Sequence, residues 1–167
     1  HVNVFREKYS KLFVAESFRK VFARAAMGLV EELAREGKGA EALKISDFYG
    51  DIVPKPEPFG YVLALTMAAF NEGKFEVVSS QMRVLAGLLD KASAAEKDEF
   101  HLLNARFLRL SSAKTEAVIE QLGQIRSDGP LSALKHDELA QATLVKSGAK
   151  EDSRASVREA EAYDFQL

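Results

Sequence analysis

The sequence predicts an all-α protein built from consecutive amphipathic helices. Apolar residues recur three and four positions apart along most of the chain, as they do on one face of a helix. No segment alternates apolar and polar residues over a sustained run, and no Asn-Gly or Asp-Gly pair joins two such runs into a hairpin. Glycine, serine and proline interrupt the helical pattern at intervals. Together these observations favour helices over sheets.

The helices are expected where the apolar pattern is continuous and proline is absent. The four prolines lie at 54, 56, 58 and 130. Between them, the apolar pattern covers residues 18–33, 61–69, 77–89, 100–110 and 118–125. An additional N-terminal helix is expected around Phe5, Tyr9, Leu12 and Phe13. The charged run over 150–161 is expected to form an end cap, with a frayed end as the alternative.

The breaks between helices are of two kinds. Short breaks at 35–39, 71–74, 111–114 and 146–150 carry Gly or Ser signals for the end of a helix. Longer breaks, two of them containing proline, lie between them at 53–59, 90–95 and 126–130. Gly37, Gly73, Ser112 and Gly148 mark the short breaks and are separated by 36, 39 and 36 residues. A helical hairpin every 36 residues or so is typical of a solenoid repeat.

Each hairpin resembles a degenerate tetratricopeptide repeat. The segment Asn71-Glu72-Gly73-Lys74-Phe75 is similar to the turn between the two helices of that repeat, and Ala42 precedes Pro54 by the family's spacing. The family's Trp is absent, and Gly39 stands where the family has an aromatic residue. The resemblance implies a right-handed α-solenoid of about four such hairpins with an extra N-terminal helix, forming a single domain over 1–167. An irregular helical bundle is the alternative architecture.

The sequence contains no recognisable catalytic, cofactor or metal site. The absence of cysteine excludes disulfides, thiolate metal sites and a cysteine nucleophile. Neither His101 nor His136 has a partner at metal-ligand spacing, and neither a Gly-x-Ser-x-Gly turn nor a phosphate-binding loop is present. A net charge of -2 disfavours nucleic acid as a partner, and no apolar run is long enough for membrane insertion. We expect no enzymatic activity, no cofactor and no metal.

The resemblance implies a groove instead of a catalytic site. In tetratricopeptide repeats the first helices of successive units line a concave groove that holds a partner segment. Carried onto this sequence, that pattern selects as partner-binding residues Arg24, Met27, Arg35, Leu63, Met67, Phe70, Asn71, Arg106 and Arg109, and it also places Glu31, Leu102, Lys135 and Glu138 on the groove. Apolar anchors beside arginines suit a protein or peptide with an acidic flank. The alternatives are that the arginines only form solvated helix faces and that Asn71 only caps its helix.

The functional expectation is a non-enzymatic protein-interaction or scaffold module that holds a partner peptide or helix in this groove. The main alternative is a structural or assembly subunit, which would form a homo-oligomer or pack into a larger complex through a helical face. A helical enzyme without a recognisable site is the third possibility. The sequence does not constrain the cellular compartment.

Overall fold

The computed structural model describes residues 16–111 and 113–146. Within these ranges all regular secondary structure is helical, with seven α-helices, one short 3-10 helix at Leu89–Lys91 and no strand. The α-helices are α1 (Glu16–Arg35), α2 (Gly39–Tyr49), α3 (Phe59–Asn71), α4 (Phe75–Leu88), α5 (Ala94–Leu110), α6 (Thr115–Gly123) and α7 (Ser132–Lys146). The all-α prediction is confirmed for this part of the chain, and neighbouring helices pack antiparallel. Three predicted features lie outside the described residues, apart from Lys146. They are the N-terminal helix, the break at 146–150 and the end cap over 150–161.

Glycine ends α1 and α3 as the sequence predicted. Gly37 and Gly73 have φ angles of 74° and 68°, a left-handed conformation that side chains with a Cβ disfavour. After α1, the Gly37 amide donates to the Ala34 carbonyl at 3.2 Å, and the Lys38 amide donates to the Leu33 carbonyl at 2.9 Å. The same pair of backbone hydrogen bonds follows α3. Both turns are therefore Schellman motifs, which reverse the chain and start the next helix within a few residues.

The contacts within the chain divide it into two compact units, one through Leu88 and one from Leu89. In the first unit α1 packs against α2 and α3, α2 packs against α3, and α3 packs against α4. One core cluster in this unit consists of alanines and valines together with the larger Tyr61, namely Val30, Ala34, Ala42, Val53, Tyr61, Ala64 and Ala68.

Gly39 shows how closely α2 approaches α3. A Cβ at Gly39 would lie 2.6 Å from the Ala68 carbonyl oxygen and 3.1 Å from Glu72 Cγ. No side chain fits at this position without a backbone shift. This contact accounts for the glycine at position 39.

In the second unit α5 packs against α6, and α6 packs against α7. Its core consists of Leu102, Ala105, Val118, Leu122, Ile125 and Ala142. A capping box starts α5, because Ser93 Oγ accepts from the Glu96 amide and the Glu96 carboxylate accepts from the Ser93 amide. The buried Asp98 carboxylate holds the loop after α6 by accepting from Arg126 Nε at 2.8 Å and from its amide at 3.1 Å.

Candidate functional site

The predicted groove residues on α1 differ in how far they are exposed to solvent. The side chains of Arg24 and Arg35 are exposed, and Glu31 is half-buried. Met27 is also half-buried and packs against the core of the first unit. Arg24 makes no side-chain hydrogen bond or ion pair with the described residues, so its guanidinium is available to a ligand.

The predicted groove residues on α3 range from buried to exposed. Leu63 is only 1% exposed, and Met67 is half-buried against the core of the first unit. Phe70 is half-buried, with its ring in an edge-to-face contact with Phe75 at a centroid separation of 6.1 Å. Asn71 is exposed as the last residue of α3, and the backbone amides of the next residues close the turn. Leu63 is therefore interior, Met67 and Phe70 are partly accessible, and Asn71 lies at the surface.

The predicted arginines on α5 bind the chain's own side chains. Arg106 Nε donates to Glu138 Oε1 at 2.7 Å, and Arg109 donates to Gln141 Oε1 at 2.6 Å. Arg109 also lies 3.5 Å from the second carboxylate oxygen of Glu138, whose side chain is 7% exposed. The carboxylate that these arginines were expected to receive from a partner is thus supplied by α7.

Lys135, also predicted near the groove, is directed inward. It is 9% exposed, and its ammonium group donates to the Ile125 carbonyl at 2.5 Å. Leu102 is 7% exposed and belongs to the core of the second unit. In this unit the described groove candidates therefore support the packing of α7, and they offer little free surface.

Two predicted residues, Arg24 and Met27, do line a common cavity. It has a volume of about 930 Å³ and lies where the first half of α1 passes the loop after α2. The described residues around it are Glu16, Arg19, Lys20, Val21, Ala23, Arg24, Ala25, Met27, Ile52 and Pro54. Its wall is mainly apolar, and three basic side chains and one acidic side chain are among the residues that line it.

The cavity adjoins an apolar surface that sequence reasoning did not identify as such. Phe18, Val21 and Leu29 are 44%, 66% and 42% exposed, and Ala25 between them is exposed as well. These four residues, here called the outer stripe, follow one another at helical spacing along α1. The opposite face of α1 is buried through Ala23, Ala26, Val30 and Ala34. Helix α1 therefore carries two apolar faces: the alanine-rich face is buried, and the outer stripe is exposed among the described residues.

The charges of α1 are unevenly distributed. Arg19, Lys20 and Arg24 lie in its first half, where Glu16 is the acidic residue among them. Lys20 pairs with Glu16 at 2.7 Å, and Arg19 donates to the Asp51 carbonyl at 3.0 Å. The hydrogen bond to Glu16 raises the pKa of Lys20, but both side chains are exposed to water, where such a pair contributes little. Arg24 is the one of these three basic side chains that makes no hydrogen bond or ion pair with the described residues, and all three contribute positive charge beside the cavity.

The described residues contain no cluster of His, Asp and Glu that could hold a metal ion. Their two histidines make ordinary hydrogen bonds, His101 with the Gln121 side chain and His136 with the Ser132 carbonyl. In the described part of the chain no helix has the length and apolar character needed to cross a membrane. Comparisons with protein-family models, curated proteins and solved structures find no match to this chain.

Proposed function

We propose that this chain is a non-enzymatic protein-interaction module that binds an apolar, acid-bearing segment of a partner on α1. The observation that carries the proposal is the outer stripe, an exposed apolar face beside a cavity that Arg24 helps to line. A contiguous apolar surface edged by polar groups is characteristic of interaction sites on soluble proteins. The proposal retains Arg24 and Met27 as partner contacts.

The packing of α1 favours binding with little conformational cost. Its alanine-rich face is fixed against α2 and α3, so the outer stripe is presented on a helix that is already ordered. A partner would then pay mainly for its own ordering and for lost translational freedom. Each apolar side chain removed from water would add about 25 cal/mol per Å² of buried apolar area.

Four of the other predicted contacts are left out of the proposed site. Leu63 is omitted because it is interior, and Arg106 and Arg109 are omitted because Glu138 and Gln141 bind their guanidinium groups. Met67 is omitted because it packs against the core. Arg35, Phe70 and Asn71 lie outside this site, and their contacts with a partner stay predictions.

We also infer that the helical hairpins form a tetratricopeptide-like α-solenoid. In the first unit, α1 contacts the first helix of the next hairpin as well as its own partner, which supports this architecture. In the second unit, the two bonds from α5 to α7 each join residues 32 positions apart. Both patterns are expected when the first helices of successive repeats lie side by side.

The direct test uses two synthetic peptides about five helical turns long. Both carry Leu at the same helical positions, and the remaining positions are mainly Glu in one and mainly Lys in the other. We expect the acidic peptide to bind and the basic peptide to bind at least about tenfold more weakly, because Arg24 and its neighbours repel the latter. Isothermal titration calorimetry measures both affinities.

The variant Val21→Asp should weaken binding of the acidic peptide about tenfold, because it places a carboxylate on the outer stripe. Its matched control is Val84→Asp, since Val84 is 51% exposed on α4 and lies away from α1. Equal losses in the two variants, or no binding of the acidic peptide, would contradict the proposed function.

A further inference from the structure

We propose that Asp128, in the loop between α6 and α7, is a modification site at which aspartate isomerises spontaneously to isoaspartate. The reaction passes through a cyclic imide that joins the Asp128 side chain to the backbone nitrogen of Gly129. The site belongs to the second unit, so this inference does not depend on the function proposed for α1.

The sequence offers this reaction at one position. Asp128-Gly129 is the only place where an aspartate or asparagine precedes a glycine. Glycine has no Cβ, so it leaves the preceding side chain room to turn back towards the main chain. The reacting groups belong to neighbouring residues, so closing the five-membered ring costs no translational freedom. The fold then decides whether the two groups are available.

The fold leaves both reacting groups available. The Asp128 side chain is exposed and makes no hydrogen bond or ion pair with the described residues. The Gly129 amide donates no hydrogen bond to them, since the turn is held by the Gly129 carbonyl, which accepts from the Ser132 amide at 3.1 Å. The two groups can therefore react without first breaking a native hydrogen bond.

Three other aspartates are less favourably placed. Asp98 is buried, and its carboxylate is bound by Arg126. Asp47 and Asp137 are exposed, but they lie within α2 and α7. Helical hydrogen bonds occupy the backbone amides of the residues that follow them.

The reaction needs only water. The Gly129 nitrogen bonds to Asp128 Cγ, and the hydroxyl group of the protonated carboxyl leaves with the amide proton as water. A second water molecule then opens the imide. Breaking the bond between Cγ and nitrogen restores aspartate, whereas breaking the bond between the main-chain carbonyl carbon and nitrogen gives isoaspartate. The main chain then runs through Cγ, and the mass of the chain is unchanged.

Isoaspartate at 128 should loosen the loop, because it adds one carbon atom to the main chain between Arg126 and Gly129. Both residues lie against the Asp98 carboxylate. Arg126 donates to it from Nε at 2.8 Å and lies 2.7 Å from it through Nη2, and a Cβ at Gly129 would come within 3.2 Å of Asp98 Oδ2. A longer main chain cannot keep both contacts in their present geometry.

The direct test is incubation of the full chain at physiological temperature, followed by mass spectrometry with electron-transfer fragmentation, which distinguishes isoaspartate from aspartate. We expect isoaspartate to accumulate at position 128 at least about tenfold faster than at Asp137. A parallel incubation in urea measures the rate in the unfolded chain. The folded-state rate at 128 should lie within about tenfold of that rate, because an exposed loop opens at little cost.

The variants Asp128→Glu and Asp137→Glu test the consequence for stability. Both keep the negative charge, but Asp128→Glu lengthens the side chain so that the five-membered imide cannot form. Incubation should lower the Tm of the wild-type chain and of Asp137→Glu by at least about 3 °C when most molecules carry isoaspartate. The Tm of Asp128→Glu should stay at its initial value.

The inference is overturned if isoaspartate accumulates equally at 128 and 137. A folded-state rate at 128 more than about a hundredfold below the rate in urea would also overturn it, because the fold would then protect the pair. Equal losses of Tm in the two variants would contradict the loosening of the loop.

Discussion

Single residues decide which predicted contacts are free to bind. Arg24 and Arg106 are both arginines on the first helix of a hairpin, and the sequence pattern treats them alike. Arg24 makes no hydrogen bond or ion pair with the described residues, whereas Arg106 is held by the nearly buried carboxylate of Glu138. The pairing joins residues 32 positions apart, so it depends on how α7 packs and could not be predicted from local spacing. By contrast, Gly37 and Gly73 were predictable because a local turn requires their left-handed backbone.

Gly39 provides a prediction about stability. Gly39→Ala should lower the free energy of unfolding by about 2 kcal/mol, because the new methyl group would overlap the Ala68 carbonyl oxygen. Gly87→Ala is the control, since Gly87 lies within α4 and a Cβ there meets nothing within 4 Å. That control should be neutral or stabilising by up to about 1 kcal/mol. Urea denaturation followed by circular dichroism measures both, and an equally tolerated Gly39→Ala would contradict the close approach of α2 and α3.

The buried hydroxyl of Tyr61 predicts that the stability of the fold depends on pH in the alkaline range. Burial raises the pKa of the Tyr61 hydroxyl, which shares a 2.8 Å hydrogen bond with the Ser46 hydroxyl. In the unfolded chain a tyrosine loses its proton near pH 10, while folded Tyr61 retains it to higher pH. The folded state then binds more protons, so stability falls as the pH rises above about 10. Tyr61→Phe should reduce the steepness of this fall in thermal melts, and identical pH profiles for the two proteins would count against it.

At the scale of elements, α1 illustrates what an apolar pattern can and cannot predict. The spacing of Phe18, Val21, Leu29 and their neighbours correctly predicts a helix. The same spacing does not distinguish the covered face from the exposed one, because both faces of α1 are apolar. The covered face uses alanines because α2 and α3 approach closely, and that proximity is a tertiary property. The sequence therefore predicted the helix and missed its exposed stripe.

The contact between α5 and α7 gives a prediction at the same scale. Glu138→Ala should lower the free energy of unfolding by about 3 kcal/mol, because the partly buried guanidinium groups of Arg106 and Arg109 lose their carboxylate. Asp137→Ala, one residue earlier and exposed, should change it by less than about 0.5 kcal/mol.

A double-mutant cycle checks the origin of this loss. Arg106→Ala combined with Glu138→Ala should cost at least about 1 kcal/mol less than the sum of the single variants, since the two residues are in direct contact. Additive losses would contradict the ion pair as the source of stability.

At the scale of the whole molecule, composition and charge set the limits of the function. The helical class and the short turns at Gly37 and Gly73 were predictable because they depend on local periodicity and glycine conformation. The location of the candidate site was not, because it depends on which helix face has no neighbour. With a net charge of -2 for the chain, the attraction of an acidic partner must come from the local basic half of α1.

This local attraction predicts a modest dependence on salt. Raising NaCl from about 50 to about 500 mM should weaken binding of the acidic peptide about threefold, because screening removes the exposed ion pairs and leaves the apolar contact. Calorimetry at several salt concentrations measures the change. A loss of more than about a hundredfold would indicate binding through charge alone and would contradict a role for the outer stripe.

The central claim is that the outer stripe of α1 becomes covered when a partner binds, and an environment-sensitive fluorophore at Val21 tests it directly. The chain has no cysteine, so Val21→Cys and, as the control, Val84→Cys each give a single labelling site. On addition of the acidic peptide, we expect a blue-shifted and brighter emission from the label at position 21 and no change at position 84. An unchanged spectrum at 21 at a peptide concentration that saturates calorimetric binding, or equal shifts at both positions, would contradict it.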